Sequence, residues 1–147
     1  MSSYRTVVVG TDGSDSSMRA VVRAAQIAGA DAKLIIASAY IPQNEDARAA
    51  DVLGQDSYKV SGTAPIYEIL RDAKDRAQAA GAHDVDERPV IGAPVEALVK
   101  LAEDENADLL VVGNVGLSTI AGRLLGSVPA NVARRANVDV LIVHTTS

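Results

Sequence analysis

The chain has 147 residues, a formal net charge of −5 and no cysteine. That length is typical of one domain with a sizeable hydrophobic core, and the absence of cysteine excludes a disulfide framework and a thiolate metal site. The acidic balance argues against nucleic acid as a partner, because binding to phosphates requires a basic surface that displaces counterions.

Hydrophobic residues make up 48% of the chain, and neither Trp nor Phe is among them. A core of Val, Ile, Leu and Ala is expected, which suits a parallel sheet covered by alanine-rich helices. The apolar run in residues 1–10 is too short for a signal peptide, and no apolar stretch approaches the ~20 residues of a membrane span. These patterns predict a cytoplasmic protein without a membrane partner.

The first third of the chain predicts a strand, a helix and a second strand. The apolar run Thr6–Gly10 is typical of a buried strand. A turn follows it, and Ser14 is the expected N-cap of a helix that Gly29 closes. Lys33–Tyr40 predicts the next strand, and so short a connection favours a right-handed crossover between two parallel strands.

A long polar segment and a second helix follow. Residues 41–62 lack a sustained period and are interpreted as a flexible connector, with a functional loop as the alternative. The helix has Pro65 in its first turn, a position that proline favours, and ends at Gly81.

The remaining elements alternate in the same way. Val85–Ile91 predicts an edge strand, because polar residues alternate along it and Pro89 cannot donate to a ladder. A third helix begins at Pro94. Leu109–Val112 predicts a fourth strand that is buried on both faces. Ser127 is the expected cap of a fourth helix, and Val138–His144 predicts the fifth strand.

Strands that alternate with helices predict an α/β fold with a five-stranded parallel sheet. The pattern predicts a single domain over residues 1–147, with helices on both faces of an open, twisted sheet. Local sequence leaves the spatial order of the strands open.

The segment between the fourth strand and the fourth helix carries spaced glycines. Gly113 is followed after two residues by Gly116, and after nine more by Gly126 and Ser127. Glycine lets a backbone approach a ligand closely, and a capped helix N-terminus binds anions. The pattern predicts a phosphate cradle. It is neither a P-loop, which needs a lysine, nor GxGxxG, whose glycines are closer together; a simple turn is the alternative.

This spacing, G-2x-G-9x-G-(S/T), resembles that of the nucleotide-binding branch of the universal stress proteins. The resemblance covers the chain from TVVVGTDGS to DVLIVHT. It implies a Rossmann-like sheet with strand order 3-2-1-4-5, in which the chain path reverses between the first and fourth strands. Ligands of open α/β sheets bind outside the carboxyl ends of the strands at such a switch point.

The resemblance also implies an adenine nucleotide in that crevice. Asp12 would accept hydrogen bonds from ribose hydroxyls or help to hold a metal ion; its alternative role is to cap the turn or the first helix. Ala39 would lie near adenine. The expected nucleotide-binding residues are Gly10, Thr11, Asp12, Ala39, Val112, Gly113, Asn114, Val115, Gly116, Leu117, Ser118, Arg123, Gly126, Ser127 and Val128.

Groups suited to catalysis are few. His83 and His144 are expected away from the crevice, and no nucleophile is paired with a base. A binding protein that senses or buffers nucleotide in stress adaptation is the leading hypothesis. The alternatives are a slow ATPase or autophosphorylating enzyme, a nucleotide-free dimeric interaction protein, and an FMN protein, which the shortage of aromatic residues disfavours.

Two further expectations concern the nucleotide and the assembly. The glycine segment carries one cation, Arg123, and unneutralised phosphate charge is costly in a partly desolvated site. Cyclic AMP or AMP should therefore bind at least as well as ATP, with Mg²⁺ needed only alongside ATP. The apolar strand at 138–144 predicts a homodimer through a sheet edge, unless residues 145–147 shield it.

Overall fold

The computed structural model of the chain describes residues 4–40, 64–114 and 132–144. The strands in these ranges are β1 (Thr6–Gly10), β2 (Lys33–Tyr40), β3 (Asp84–Ile91), β4 (Leu109–Gly113) and β5 (Asp139–Val143). The helices are α1 (Asp15–Ala28), α2 (Ala64–Ala79) and α3 (Pro94–Asp104), and residues 132–135 are also helical. The predicted connector at 41–62, most of the glycine segment and the cap at Ser127 lie outside the described residues.

The five strands form one parallel sheet in the order β3-β2-β1-β4-β5. This confirms the α/β fold and the strand order that the family resemblance implied. The strand bounds expected from the sequence differ from the observed ones by no more than one residue at either end.

Two apolar layers cover the sheet. Successive side chains of a strand point to opposite faces, so Val7 and Val9 pack with α1 and α2, whereas Val8 packs with α3 on the other face. All three valines are fully buried. Burial on both faces explains why the central strands are continuous apolar runs rather than alternating ones.

The first helix begins and ends as the sequence predicts. The Ser14 side chain accepts a hydrogen bond from the backbone N–H of Ser17, which satisfies one of the free donors of the first turn. Gly29, in the left-handed region with φ of 59°, donates its N–H to the Ala25 carbonyl at the other end.

The strand β3 lies at one edge of the sheet, as Pro89 indicated. Its charged side chains pair with neighbouring elements: Lys33 lies 3.1 Å from Asp86, and Arg88 lies 3.2 Å from Glu105. Charged residues and proline keep such an edge from pairing with other chains. None of the helices in the described ranges is long and apolar enough to cross a membrane.

The chain path reverses between β1 and β4. The strand β1 pairs with β2 on one side, Gly10 opposite Ala37, and with β4 on the other, Val9 opposite Val111. In open α/β sheets, such a reversal of the chain path opens a crevice outside the carboxyl ends of the two strands.

Candidate functional site

The turn after β1, residues 11–14, is held by two buried hydroxyl groups. The Oγ atoms of Thr11 and Ser17 lie 2.7 Å apart, and both residues are buried. Ser17 Oγ also accepts the backbone N–H of Asp12 at 3.3 Å and donates to the Ser14 carbonyl at 3.0 Å. The N–H of Gly13 donates to Thr11 Oγ1 at 3.1 Å. A helix residue therefore determines the shape of a turn that precedes the helix.

These contacts occupy the backbone donors of the turn. The Thr11 N–H donates to the Ala37 carbonyl of β2 at 2.9 Å, and those of Asp12 and Gly13 donate to the two hydroxyls. The N–H of Ser14 donates to Asp12 Oδ1 at 2.9 Å. An anion cradle needs free N–H groups that point at the ligand, so this turn offers a ligand no free backbone donor. The backbone N–H of Thr11, an expected nucleotide-binding residue, is therefore not available to a ligand.

The carboxylate of Asp12 has a fixed orientation. Its Oδ1 atom caps the turn through Ser14, which is the structural role that the sequence left open. A carboxylate has about four acceptor positions, and among the described residues no donor is directed at Oδ2. The side chain is half-buried and lies at the carboxyl edge of the sheet. Asp12 can therefore cap the turn and accept a hydroxyl at the same time.

Two glycines near this turn make room for helices. A Cβ at Gly10 would lie 2.7 Å from Leu98 Cδ1 on α3, and Leu98 is buried. Gly13 has φ of +88°, and a Cβ there would lie 3.0 Å from Ile69 Cγ1 on α2. Helices from both faces of the sheet therefore close around the turn, and the absence of side chains at these glycines serves packing directly.

The end of β4 lies beside the β1 turn. The side chain of Val112 is fully buried in the layer that contains α3, so it supports the crevice from below. Gly113 is the last residue of the strand and pairs with Val143 of β5. The backbone N–H of Asn114 donates to the Val143 carbonyl at 2.9 Å. The backbone N–H of Asn114 is therefore not available to a ligand.

The amide of Asn114 is close to a histidine. Its Nδ2 atom lies 3.5 Å from Nδ1 of His144, the first residue after β5. His144 therefore lies beside an expected site residue, although the sequence placed both histidines away from the crevice. The strands β4 and β5 are parallel neighbours in register, so the residues that follow them meet at the same edge. His83 immediately precedes β3 and therefore lies at the opposite end of the strands, the amino end.

The described site residues come together at the carboxyl ends of the strands. Ala39, half-buried near the end of β2 and opposite Val90, joins the ends of β1 and β4 there. Sequence reasoning missed Ser17 and His144; strand order alone would have placed His144. The expected residues that lie outside the described ranges are Val115, Gly116, Leu117, Ser118, Arg123, Gly126, Ser127 and Val128.

The described residues include no group of three or more His, Asp or Glu side chains that could hold a metal ion. Asp12 and Asp15 are the acidic residues nearest the crevice in sequence, and Asp15 is exposed in the first turn of α1. The carboxyl end of the sheet therefore brings together the half-buried carboxylate of Asp12, the small apolar residue Ala39 and the side-chain amide of Asn114. That set suits a ligand with hydroxyl groups and an apolar ring.

Comparison with known proteins gives consistent matches. The family model described as "Universal stress protein family" matches residues 3–144. Universal stress protein Rv1636 of Mycobacterium tuberculosis is 82% identical over 146 residues, which are 99% of this chain and 100% of that protein. Its crystal structure covers 99% of both chains with a TM-score of 0.64 and 72% identity. A crystal structure of a universal stress protein in complex with cAMP covers 99% of this chain and 100% of that one, with a TM-score of 0.76 and 66% identity.

Proposed function

Because the chain belongs to the universal stress protein family, we propose that it binds an adenine nucleotide at the carboxyl edge of its sheet. In this role it senses or buffers that nucleotide during stress adaptation in the cytoplasm. The observation that carries the proposal is the relative in complex with cAMP, which is 66% identical over nearly the whole chain. The residues gathered at the crevice supply chemistry that agrees with it.

The described residues suit the nucleoside part of the ligand. The β1 turn offers acceptors but no free backbone donors, so Asp12 would bind ribose hydroxyls rather than phosphate. Ala39 leaves room for adenine beside it, since it has only a methyl side chain. The phosphate would be bound by the Asn114 amide and by donors of the glycine segment, from Val115 to Val128.

Charge favours a ligand with few negative charges. The chain carries a net charge of −5, and Asp12 and Asp15 flank the start of α1. Arg123 is the single cation between Gly113 and Val128. A triphosphate would need Mg²⁺ to offset repulsion, whereas cyclic AMP, a singly charged diester, would not. Cyclic AMP or AMP is therefore proposed to bind at least as well as ATP.

Calorimetric titration of nucleotide-free protein with cyclic AMP, AMP and ATP, each with and without Mg²⁺, tests this ranking. The expected result is that the dissociation constant for cyclic AMP or AMP is no larger than that for ATP without metal. A preference for ATP of tenfold or more without Mg²⁺ would refute the charge argument. Failure of all three ligands to bind would refute the proposed function.

We also propose that two copies pair through β5. This strand is a sheet edge, Ile142 is 42% exposed on it, and Val140 and Leu141 are half-buried. An apolar edge strand has open backbone donors and acceptors that a second copy can satisfy around a two-fold axis. Sedimentation at micromolar concentration should give the mass of a dimer, and a monomer mass would contradict it.

A further inference from the structure

The hydroxyl of Ser17 is buried and hydrogen-bonded in a way that its position in the sequence did not indicate. It lies in the first turn of α1, is completely buried, and contacts the turn at residues 11–14 through its hydroxyl. The helix itself does not require this hydroxyl, because the Ser14 side chain already caps the Ser17 N–H. A buried hydroxyl must be hydrogen-bonded to avoid a desolvation cost, and the partners of Ser17 Oγ, which are Thr11, Asp12 and Ser14, all lie in that turn.

The hydrogens of this cluster can be placed by counting. Each hydroxyl has one hydrogen to donate. Ser17 donates its hydrogen to the Ser14 carbonyl. The hydrogen of Thr11 has two acceptors in reach, Ser17 Oγ at 2.7 Å and Met18 Sδ at 4.0 Å, and we assign it to the nearer and stronger acceptor, Ser17 Oγ. Thr11 Oγ1 is then the acceptor for the Gly13 N–H. The result is a directed relay from the Gly13 N–H through Thr11 and Ser17 to the Ser14 carbonyl.

The relay fixes the turn on both sides of the Asp12 side chain. Ser17 Oγ accepts the backbone N–H of Asp12 directly and, through Thr11, secures that of Gly13. If the Ser17 hydroxyl is removed, the Asp12 N–H and the Thr11 hydroxyl lose their buried partner. The turn would then have to move toward water to satisfy them. Such a movement would displace the Asp12 carboxylate.

We propose that Ser17 is a positioning residue of the nucleotide site, and that its hydroxyl relay through Thr11 holds the Asp12 carboxylate where it meets ribose hydroxyls. Ser17 itself does not touch the ligand. Its role rests on the proposed nucleotide site, but the relay is a property of the ligand-free protein and can be measured there.

The first measurement is amide hydrogen exchange in the ligand-free protein. In Ser17→Ala and in Thr11→Val, the amides of Asp12 and Gly13 should exchange at least severalfold faster than in the wild type. Ser14→Ala is the matched control, because it removes the side-chain cap of α1 but keeps the backbone carbonyl that ends the relay. Unchanged exchange at Asp12 and Gly13 in both relay variants would overturn the proposal.

The second measurement is the ratio of affinities for AMP and 2′,3′-dideoxy-AMP, which lacks both ribose hydroxyls. A hydrogen bond to a charged group predicts a preference for AMP of roughly tenfold or more in the wild type. Asp12→Ala should bring this ratio near one. Ser17→Ala and Thr11→Val should lower it at least threefold, and Ser14→Ala should leave it at the wild-type value.

These outcomes separate the two proposals. A general weakening of the fold would reduce both affinities and leave their ratio unchanged, so an unchanged ratio in both relay variants would refute the positioning role. If Ser17→Ala does not fold, Thr11→Val breaks the same relay with a side chain of similar shape. Wild-type protein that binds neither ligand would refute the proposed function, whereas the exchange rates would still decide the relay.

Discussion

The variant Gly10→Ala tests whether Gly10 is needed for packing against the helix α3 rather than for contact with the ligand. The added Cβ would lie 2.7 Å from Leu98 Cδ1 and 3.2 Å from Cδ2, whereas carbon atoms in favourable contact are about 3.5–4.0 Å apart. Leu98 is buried against the sheet, so a shift of its side chain would have to displace its neighbours in the packed layer. Overpacking of this kind costs typically 1–3 kcal/mol, so we expect a loss of about 2 kcal/mol. That loss corresponds to a decrease in Tm of about 4–8 °C for a chain of this size.

The assay is urea denaturation of Gly10→Ala, Leu98→Val and the double variant. Leu98→Val removes both Cδ atoms, so the new Cβ at position 10 would fill space that the shorter side chain leaves. The double variant should therefore be more stable than the sum of the single effects predicts, with a coupling of about 1 kcal/mol or more. Nucleotide affinity should recover in the double variant if packing alone was disturbed. Gly10→Ala within about 0.5 kcal/mol of the wild type, or strictly additive effects, would refute the reasoning.

Three further expectations concern the site, the edge strand and alkaline pH. Gly113→Leu should abolish nucleotide binding in calorimetry and leave far-ultraviolet circular dichroism normal, because Gly113 ends β4 at the crevice; unchanged affinity would remove it from the site. Ile142→Lys should shift the sedimentation mass from dimer to monomer, since it places a charge on the exposed apolar position of β5; a retained dimer would place the interface elsewhere. The hydrogen bond to Asp139 raises the pKa of Tyr4 in the folded protein. This hydrogen bond therefore stabilises the fold fully below about pH 10, the pKa of tyrosine in the unfolded chain, and the stabilisation is lost as the pH rises through the pKa of Tyr4 in the folded protein. Tyr4→Phe should therefore show a smaller fall in urea midpoint above pH 10, and an identical fall would contradict this.

The elements of the fold follow from local patterns. Continuous apolar runs identify the strands, Ser14 and Gly29 mark the ends of α1, and Pro89 identifies the edge strand. Each signal is contained in a few neighbouring residues. The strand order was not contained in any of them, because it depends on which strands pair across the sheet, and only the family resemblance supplied it.

The site was predicted less completely, because its geometry depends on residues far apart in the sequence. The contact between Asn114 and His144 requires β5 to lie beside β4. Gly10 was expected only to line the nucleotide site, whereas a Cβ there would collide with Leu98 of a distant helix. A serine in the first turn of a helix is ordinary, so nothing local indicated that Ser17 holds the preceding turn.

The most direct test of nucleotide binding at the carboxyl edge is a titration with cyclic AMP followed by backbone ¹H–¹⁵N spectra. The amides of Asp12, Gly13, Ala39 and Gly113 should shift in a saturable manner, since they lie at the proposed crevice. Those of Ala32 and Ala107, which precede β2 and β4 at the opposite edge, should remain unchanged. Shifts confined to that opposite edge, or no saturable shift at millimolar cyclic AMP, would contradict the account.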